Sequence, residues 1–410
     1  MGESAPRDTR RPPAWLMIAT GMLVTIVVLV FARLAYGLIV PPMRESLGLS
    51  YQQAGMLGTV TALGYLCLVM VAGVAAGRFG GRNTVLLGVV LVTVGFAGLS
   101  VASDYRVLLV LMALLGFGTA FGYTPLVSLL SSWFPARRGA VIGMLNGGVG
   151  AGMLLSGTLV PLAPAVFGEA GWRVTWAAFA VGGALVLMAV LAFLRNPPSA
   201  GAGVGVGRAP TPERAAVFRN RYVIIVGLIY GVLGTTYIVQ VVFMYSYALE
   251  SGIASVVAGR LVALMGALGI FSGLLWGWIS DRIGRGTALL LSKTLYLVGM
   301  ATPVVSPTLA GFAAHYVILG VAVTGVFTSV LAASTEHVGA REAPLAVSFV
   351  TVFMAAGQLA GPAAAGVIID WTGDFRLTFG LCAALIVIGV ALCWRVRSYT
   401  PEPLSASPKC

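Results

Sequence analysis

Charge is what this sequence has least of. Asp, Glu, Lys and Arg together make up 9% of its 410 residues, against about a quarter in an ordinary soluble protein. So little charge cannot cover the surface of a soluble chain of this length, and 59% of the residues are hydrophobic. Lysine is nearly missing, with only Lys293 and Lys409, so the net charge of +12 rests on arginine. None of the 13 carboxylates falls in the middle of an apolar run. Cys67, Cys382, Cys393 and Cys410 show no CxxC spacing, and there are only two histidines. That excludes a metal-ligand set and leaves the cysteines as small core hydrophobes. With no Ser-His-Asp arrangement and no nucleotide-binding signature, nothing points to an enzyme or to a cofactor.

What is there is apolar length. A spanning helix takes about 20 mainly apolar residues, and runs bounded by Gly, Pro or Arg predict twelve: Trp15–Val40, Ala54–Ala76, Thr84–Val101, Val107–Trp133, Ala140–Val166, Val174–Leu194, Tyr222–Ala248, Val256–Ile279, Thr287–Val305, Leu309–Ala333, Ala343–Ile369 and Leu377–Trp394. The first run is too long for a signal-peptide core and lacks a cleavage pattern, so it reads as span 1. Taken alternately, one set of loops and ends carries nearly all the arginines, among them Arg78, Arg82, Arg137, Arg138, Arg195, Arg282, Arg285, Arg341, Arg395 and Arg397. The other set carries only Arg44, Arg106, Arg173 and Arg376. By the positive-inside rule both termini are cytoplasmic and the span count is even. Arginine in place of lysine fits a GC-rich bacterium, and hence a bacterial cytoplasmic (inner) membrane. Short scattered basic loops offer no contiguous face for nucleic acid. The expected partners are the lipid bilayer and a small molecule, and the chain is read as a monomer.

The second half repeats the first at an offset of 204 residues. GVAAGRFGGR from Gly73 falls on GWISDRIGRG from Gly277, Gly48 on Gly252, Ala54-Gly55 on Ala258-Gly259, Arg137 on Arg341 and Gly157 on Gly361. The division is therefore residues 1–194 as one six-helix bundle, 195–221 as a Gly-, Pro- and Arg-rich linker, and 222–410 as the second bundle. The fold class is all-α integral membrane, with twelve transmembrane helices in two pseudo-symmetric six-helix bundles. Spans 5 and 11 carry glycines at small-residue spacing (Gly143, Gly147, Gly148, Gly152, Gly157; Gly357, Gly361, Gly366), which lets backbones approach closely and could form a sliding contact between the halves.

GWISDRIGRG resembles the cytoplasmic loop signature of the major facilitator superfamily, G-x-x-x-D-R-x-G-R-[RK], and GVAAGRFGGR is a degraded copy in which Gly77 stands at the acidic position. FARLAYGLIVPPMRESLGLSYQQAG, with LGYL in span 2, looks like the YbfB/YjiJ branch of that superfamily. WFPARRGAVIGMLNGGVGAG followed by GWR is similar to monocarboxylate porters, although their arginine one turn before the loop signature is here Gly273. The resemblance implies the major facilitator fold and secondary active transport by alternating access, each half exposing one central cavity in turn. It also implies a cytoplasmic clasp formed by Asp281, Arg282 and Arg285, with Arg78 and Arg82 in the weaker copy.

A charge near mid-bilayer costs about 2.5–3.5 kcal/mol on insertion scales, so each one is a functional candidate. Arg33 lies deepest, with span 1 continuing to about Val40. Arg260 lies four residues inside the outer end of span 8, where snorkelling and cavity lining both remain open. Lys293, about two turns from the inner end of span 9, is read as snorkelling to the interface. With no buried acid to pair it, Arg33 points to an anionic substrate such as a small organic acid; the alternative is efflux of drug-like or sugar-like compounds. The repeat places Tyr237 opposite Arg33 and Gln240 opposite Tyr36, each pair three residues apart on one helical face. These four are the expected substrate site, extended by Tyr123, Tyr230, Arg260 and His315, with Asn146 as a weaker candidate.

Overall fold

A computed structural model describes residues 13–197, 217–339 and 342–398. Most of the expected linker, both chain ends and Arg341 lie outside the described residues. Within them every regular element is helical. Helix α1 runs as three consecutive pieces, Ala14–Thr25, a π-helical stretch Ile26–Leu34, and Tyr36–Leu47. Then come α2 Tyr51–Phe79, α3 Gly81–Val101, α4 Tyr105–Trp133, α5 Arg138–Leu159, α6 Gly171–Phe193, α7 Arg221–Glu250, α8 Ser255–Ile283, α9 Arg285–Val305, α10 Leu309–Ser334, α11 Ala343–Thr372 and α12 Phe375–Arg397. Eleven segments are long and apolar enough to cross a membrane, and one of them, Pro135–Phe193, contains both α5 and α6. With α5 and α6 taken separately, the described residues hold twelve long helices.

The turns follow from residue type. Ser50 and Gln53 form a reciprocal capping box at the start of α2, while Asp104, Asn220 and Asp374 accept from the first free N–H groups of α4, α7 and α12. The repeat is visible in the backbone. Gly48 and Gly252 have φ of 62° and 83°, and Gly80 and Gly284 have 85° and 83°. Such angles favour a residue without Cβ, so each related pair of hairpins turns on the same glycine. Two boundaries differ from expectation. Helix α1 continues through Pro41 and Pro42 to Leu47, and α5 stops at Leu159, before Pro161 and a series of short helical turns that ends at Ala170.

Six helices form each bundle, and the two bundles meet along α2–α11, α5–α8 and the outer part of α1 with α7. The side bearing Arg78, Arg82, Arg282 and Arg285 is here the inner side. In the outer half of the seam, backbones pack at van der Waals limits. A methyl on Gly157 would stand 2.6 Å from the Gly259 carbonyl, and one on Gly266 2.7 Å from that of Gly150. Gly37 abuts Val241 and Gly55 abuts Pro362. Towards the inner side, Gly73, Gly77, Gly139, Gly143, Gly147 and Gly277 face open space. Among the described glycines, the contacts across the seam lie at its outer end and none lies at its inner end, the pattern of an inward-open arrangement. The expected sliding contact of glycines therefore divides. Gly157 and Gly366 pack across the seam, Gly148 and Gly152 pack on α1, and Gly357 and Gly361 pack on α7 within their own bundle.

Candidate functional site

Arg33 lies in the π-helical stretch of α1, where Ala35 N–H reaches back five residues to the Val30 carbonyl at 2.8 Å. Widened π-helical turns recur at functional sites. The half-buried guanidinium donates to Gln358 Oε1 on α11 at 3.0 Å, a bond between the two halves. Its carbon stands 5.0 Å from the centre of the Tyr65 ring on α2, and the Tyr237 hydroxyl on α7 is within electrostatic range. Among the described residues no carboxylate is buried, and none pairs with Arg33. A cation in that setting is compensated only by an amide oxygen and by ring faces.

The other aromatic candidates gather around this centre. Tyr230 lies within electrostatic range of Tyr65 and Tyr123, and Tyr123 donates to Asn146 Oδ1 at 3.3 Å. Tyr230 and Tyr237 both set their rings edge-on to Phe327 of α10, at 6.0 and 5.4 Å. One polar aromatic cluster thus draws on α1, α2, α4 and α5 of the first bundle and α7, α10 and α11 of the second. The sequence reading missed Tyr65 and Gln358. Tyr65 stands in the LGYL string of span 2, and Gln358 is an amide inside a span, a residue type that seldom faces lipid without a partner.

Tyr36 and Gln240 do not join the cluster as the repeat placed them. Tyr36 is 2% exposed and donates to the Ala54 carbonyl on α2 at 2.9 Å. The widened turns shift the phase of α1 between residues 33 and 36, which removes the shared face that a regular α-helix would give. Gln240 is buried, with Nε2 3.5 Å from His315 Nε2, and its Oε1 has no hydrogen-bond partner. His315 is fully buried behind it and shares its Nδ1 with the Gly299 carbonyl of α9 at 2.8 Å. Arg260 is exposed at the outer end of α8, away from the cluster.

Lys293 corrects the snorkelling reading. It is 0% exposed and its Nζ has no hydrogen-bond partner among the described residues. The side chain passes over Tyr296, 5.3 Å from the ring centre, and into space left by Gly389 of α12, where a methyl would meet its Cε at 2.9 Å. The missing Cβ at Gly389 lets the amine turn into the bundle instead of out to the interface.

The two ends of the seam differ in the same sense as the packing. On the inner side Asp281 is exposed, with no hydrogen bond or ion pair among the described residues. Arg282 stacks on Trp278 at 3.6 Å, and Arg285 donates to the Ala332 carbonyl at 3.3 Å. Arg78 is exposed, while Arg82 ties α3 to α6 through the Leu191 carbonyl at 3.0 Å. On the outer side, Asp370 of α11 accepts from the backbone N–H of Tyr51 at 2.9 Å and of Gln52 at 2.7 Å, capping α2 of the other bundle. Tyr51 Oη donates to Glu250 at 3.0 Å, and Arg44 lies over the Tyr51 ring at 4.0 Å.

Two pseudo-symmetric six-helix bundles enclosing a polar cluster that both halves build define a polytopic membrane transporter. The chain belongs to the Major Facilitator Superfamily, whose family model matches residues 22–301 and 252–409. It is similar to monocarboxylate transporter 11 of Homo sapiens, 29% identical over 86% of this chain and 76% of that protein. It is also similar to the hexuronate transporter of Bacillus subtilis (strain 168), 24% identical over 87% of this chain and 88% of that protein. Among solved structures, a bacterial homologue of the human lysosomal transporter Spinster, inward-facing and unoccupied, aligns with a TM-score of 0.75 at 18% identity, covering 97% of this chain and 100% of that one. The nucleoside transporter NupG aligns with a TM-score of 0.76 at 11% identity, covering 94% of this chain and 99% of that one.

Proposed function

We propose that this protein is a secondary active transporter of small organic anions that works by alternating access, with Arg33 as the anchor for a substrate carboxylate. The observation that carries this reading is an arginine within a membrane-spanning helix, half-buried at the convergence of both bundles, whose hydrogen-bond acceptor among the described residues is the Gln358 side chain across the seam. A carboxylate offers the planar, bidentate geometry that a guanidinium fits, and can displace an amide oxygen. Efflux of drug-like or sugar-like compounds would combine a chiefly aromatic lining, which Tyr65, Tyr230, Tyr237 and Phe327 supply, with an Arg33 engaged by backbone carbonyls, whereas Arg33 donates to a side chain. Relatives named as transporters of monocarboxylates and of hexuronate support a carboxylate cargo. Tyr237, Tyr65, Tyr230 and Tyr123 form the rest of the site. The arginine-rich side is cytoplasmic, with both termini there, in a bacterial inner membrane. The gates are Asp281 with Arg282 and Arg285 on that side, and Arg78 and Arg82 in the degraded copy.

Uptake of lactate and of glucuronate into proteoliposomes tests this. Arg33→Gln removes charge-assisted hydrogen bonds of about 1.5–3 kcal/mol and should lower uptake of the transported acid at least about tenfold. Arg33→Lys, which keeps the charge but not the fork, should retain part of it. If neither acid is carried, or if Arg33→Gln carries one at the wild-type rate, the anion reading is wrong.

A further inference from the structure

The cluster around Arg33 contains no group that exchanges a proton, and no carboxylate is buried among the described residues. One imidazole is, and its surroundings are unusual. His315 Nδ1 lies 2.8 Å from the Gly299 carbonyl. A carbonyl only accepts, so Nδ1 carries the hydrogen and Nε2 presents a lone pair. That lone pair faces Gln240 Nε2 at 3.5 Å, a long contact, and the amide placed in this way leaves Gln240 Oε1 buried and without a donor. Turning the amide over would satisfy Oε1 only if His315 Nε2 also carried a hydrogen. Every polar atom of the pair except Gln240 Oε1 is accounted for in the neutral state, and the one orphan is the acceptor that an imidazolium needs.

Location adds a second, independent observation. Gln240 lines a small cavity on the seam between the bundles, walled by Leu34 and Leu38 of α1 and Met153 of α5 on one side, and by Tyr245, Met265 and Tyr316 on the other. This cavity lies outward of Arg33, in the part of the seam that is closed here, and the walls come from both halves. Opening the outer gate parts those walls and brings water to Gln240.

We propose that His315, with Gln240 as its acceptor, is the proton-binding site that couples proton movement to transport, resting on the anion-transport reading of the Arg33 site. One proton adds to Nε2, the contact from Gln240 Nε2–H to that lone pair is given up, and the Gln240 amide turns so that Oε1 accepts the new N–H; no other covalent bond forms or breaks. The titratable groups around the pair are few. Helix α7 carries Tyr237 and Tyr245, and α10 carries Tyr316 next to His315. Helix α9 carries Tyr296 and, further inward, Lys293. Arg33 precedes Leu34 on α1, and Cys382 of α12 is within electrostatic range of Tyr296. Helices α5 and α8 contribute Met153, Val262 and Met265. Among these His315 alone combines a free lone pair with an acceptor waiting for its proton.

The test uses full-length protein in lipid nanodiscs and in proteoliposomes. The chain has two histidines, so His337→Asn leaves His315 as the sole imidazole, and its 15N signals can be followed from pH 9 to pH 5 without any substrate. The expected result is the Nδ1–H tautomer at pH 9 and gain of one proton at Nε2 on acidification. In proteoliposomes, an inward proton gradient should raise accumulation of the acid carried in the Arg33 test at least about fivefold. His315→Asn should lose that stimulation while still exchanging the acid at equal concentrations on both sides, a step that needs no net proton movement. A histidine with a purely structural role would lower exchange and gradient-driven uptake together. The proposal is overturned if the imidazole stays neutral through pH 5, or if His315→Asn still responds to the gradient. Failure of the anion reading looks different, as no Arg33-dependent uptake of either acid. The imidazole signal alone then decides whether His315 binds the proton.

Discussion

Replacing Asp370 with Asn should shift the molecule towards its outward-open form. Both carboxylate oxygens of Asp370 are used across the seam, at 2.9 and 2.7 Å from the N–H groups of Tyr51 and Gln52. These are first-turn donors of α2, which have no intrahelical acceptor. Hydrogen bonds to a charged group contribute about 1.5–3 kcal/mol each, and an anion at a helix N-terminus adds about 0.3–1 kcal/mol. The groups are solvent-exposed, which places the contribution at the low end, and Asn keeps one accepting oxygen. A net loss of about 1–2 kcal/mol remains, a factor of roughly 5–30 in population. The readout is a single cysteine at Met153, on the wall of the seam cavity, in a background without the native four cysteines. An impermeant thiol reagent added from outside should react about 5–30 times faster in Asp370→Asn. Asp374→Asn is the control, because Asp374 caps its own helix through Arg376 N–H at 2.7 Å. An unchanged rate in a normally inserted Asp370→Asn protein, or an equal increase in Asp374→Asn, would refute the latch.

Three further outcomes are expected. Asp281→Asn should favour the inward-open form further, raising inner-side labelling of a cysteine at Asn146 by no more than about fivefold, since exposed ion pairs contribute at most about 1 kcal/mol; no change on either side would remove Asp281 from the gate. Lys293→Leu removes a buried amine without a hydrogen-bond partner and should raise the apparent melting temperature in detergent, by an amount matching about 1–3 kcal/mol, with transport kept. Gly389→Ala alone should be destabilising by about 1–3 kcal/mol, because the new methyl meets Lys293 Cε at 2.9 Å, and it should be largely tolerated in the Lys293→Leu background, a coupling of at least about 1 kcal/mol in a double-mutant cycle.

The fold was legible because its determinants are local or periodic. Apolar length marks the spans, arginine marks the loops, and the 204-residue offset returns as the same positive-φ glycines at 48 and 252 and at 80 and 284. The site was legible only in part. Arg33 and Tyr237, which the repeat sets opposite each other, lie within electrostatic range, but Tyr36 does not follow, since nothing in IVVLVFARL announces the widened turns that re-aim the helix. Lys293 was misread because its burial depends on a glycine 96 positions away in another helix, Gly389. The Asp370 latch is hidden for the same reason. Its partners are backbone N–H groups more than 300 positions earlier, which no side-chain pattern advertises.

In lipid the two bundles gain no hydrophobic free energy by meeting, so the seam is held by close packing and a few polar contacts. Close packing is made at the outer end, at Gly157 and Gly266, while Gly143 and Gly277 face open space at the inner end. The choice between ends then falls to small polar differences: Asp370 and Glu250 engaged outside, Asp281 disengaged inside. In the alternating-access cycle proposed above, closing one end would draw the other apart, so the two sets would compete, and a gap of a few kcal/mol is within reach of a ligand with different affinities for the two forms. The Arg33–Gln358 bond gives such a ligand its leverage, because it joins α1 to α11 across the seam near the middle of the membrane. On the proposed anion-transport reading, an anion that takes Arg33 from Gln358 would both bind and remove one of the bonds holding the bundles in this arrangement, which would tie occupancy of the site to release of the outer gate.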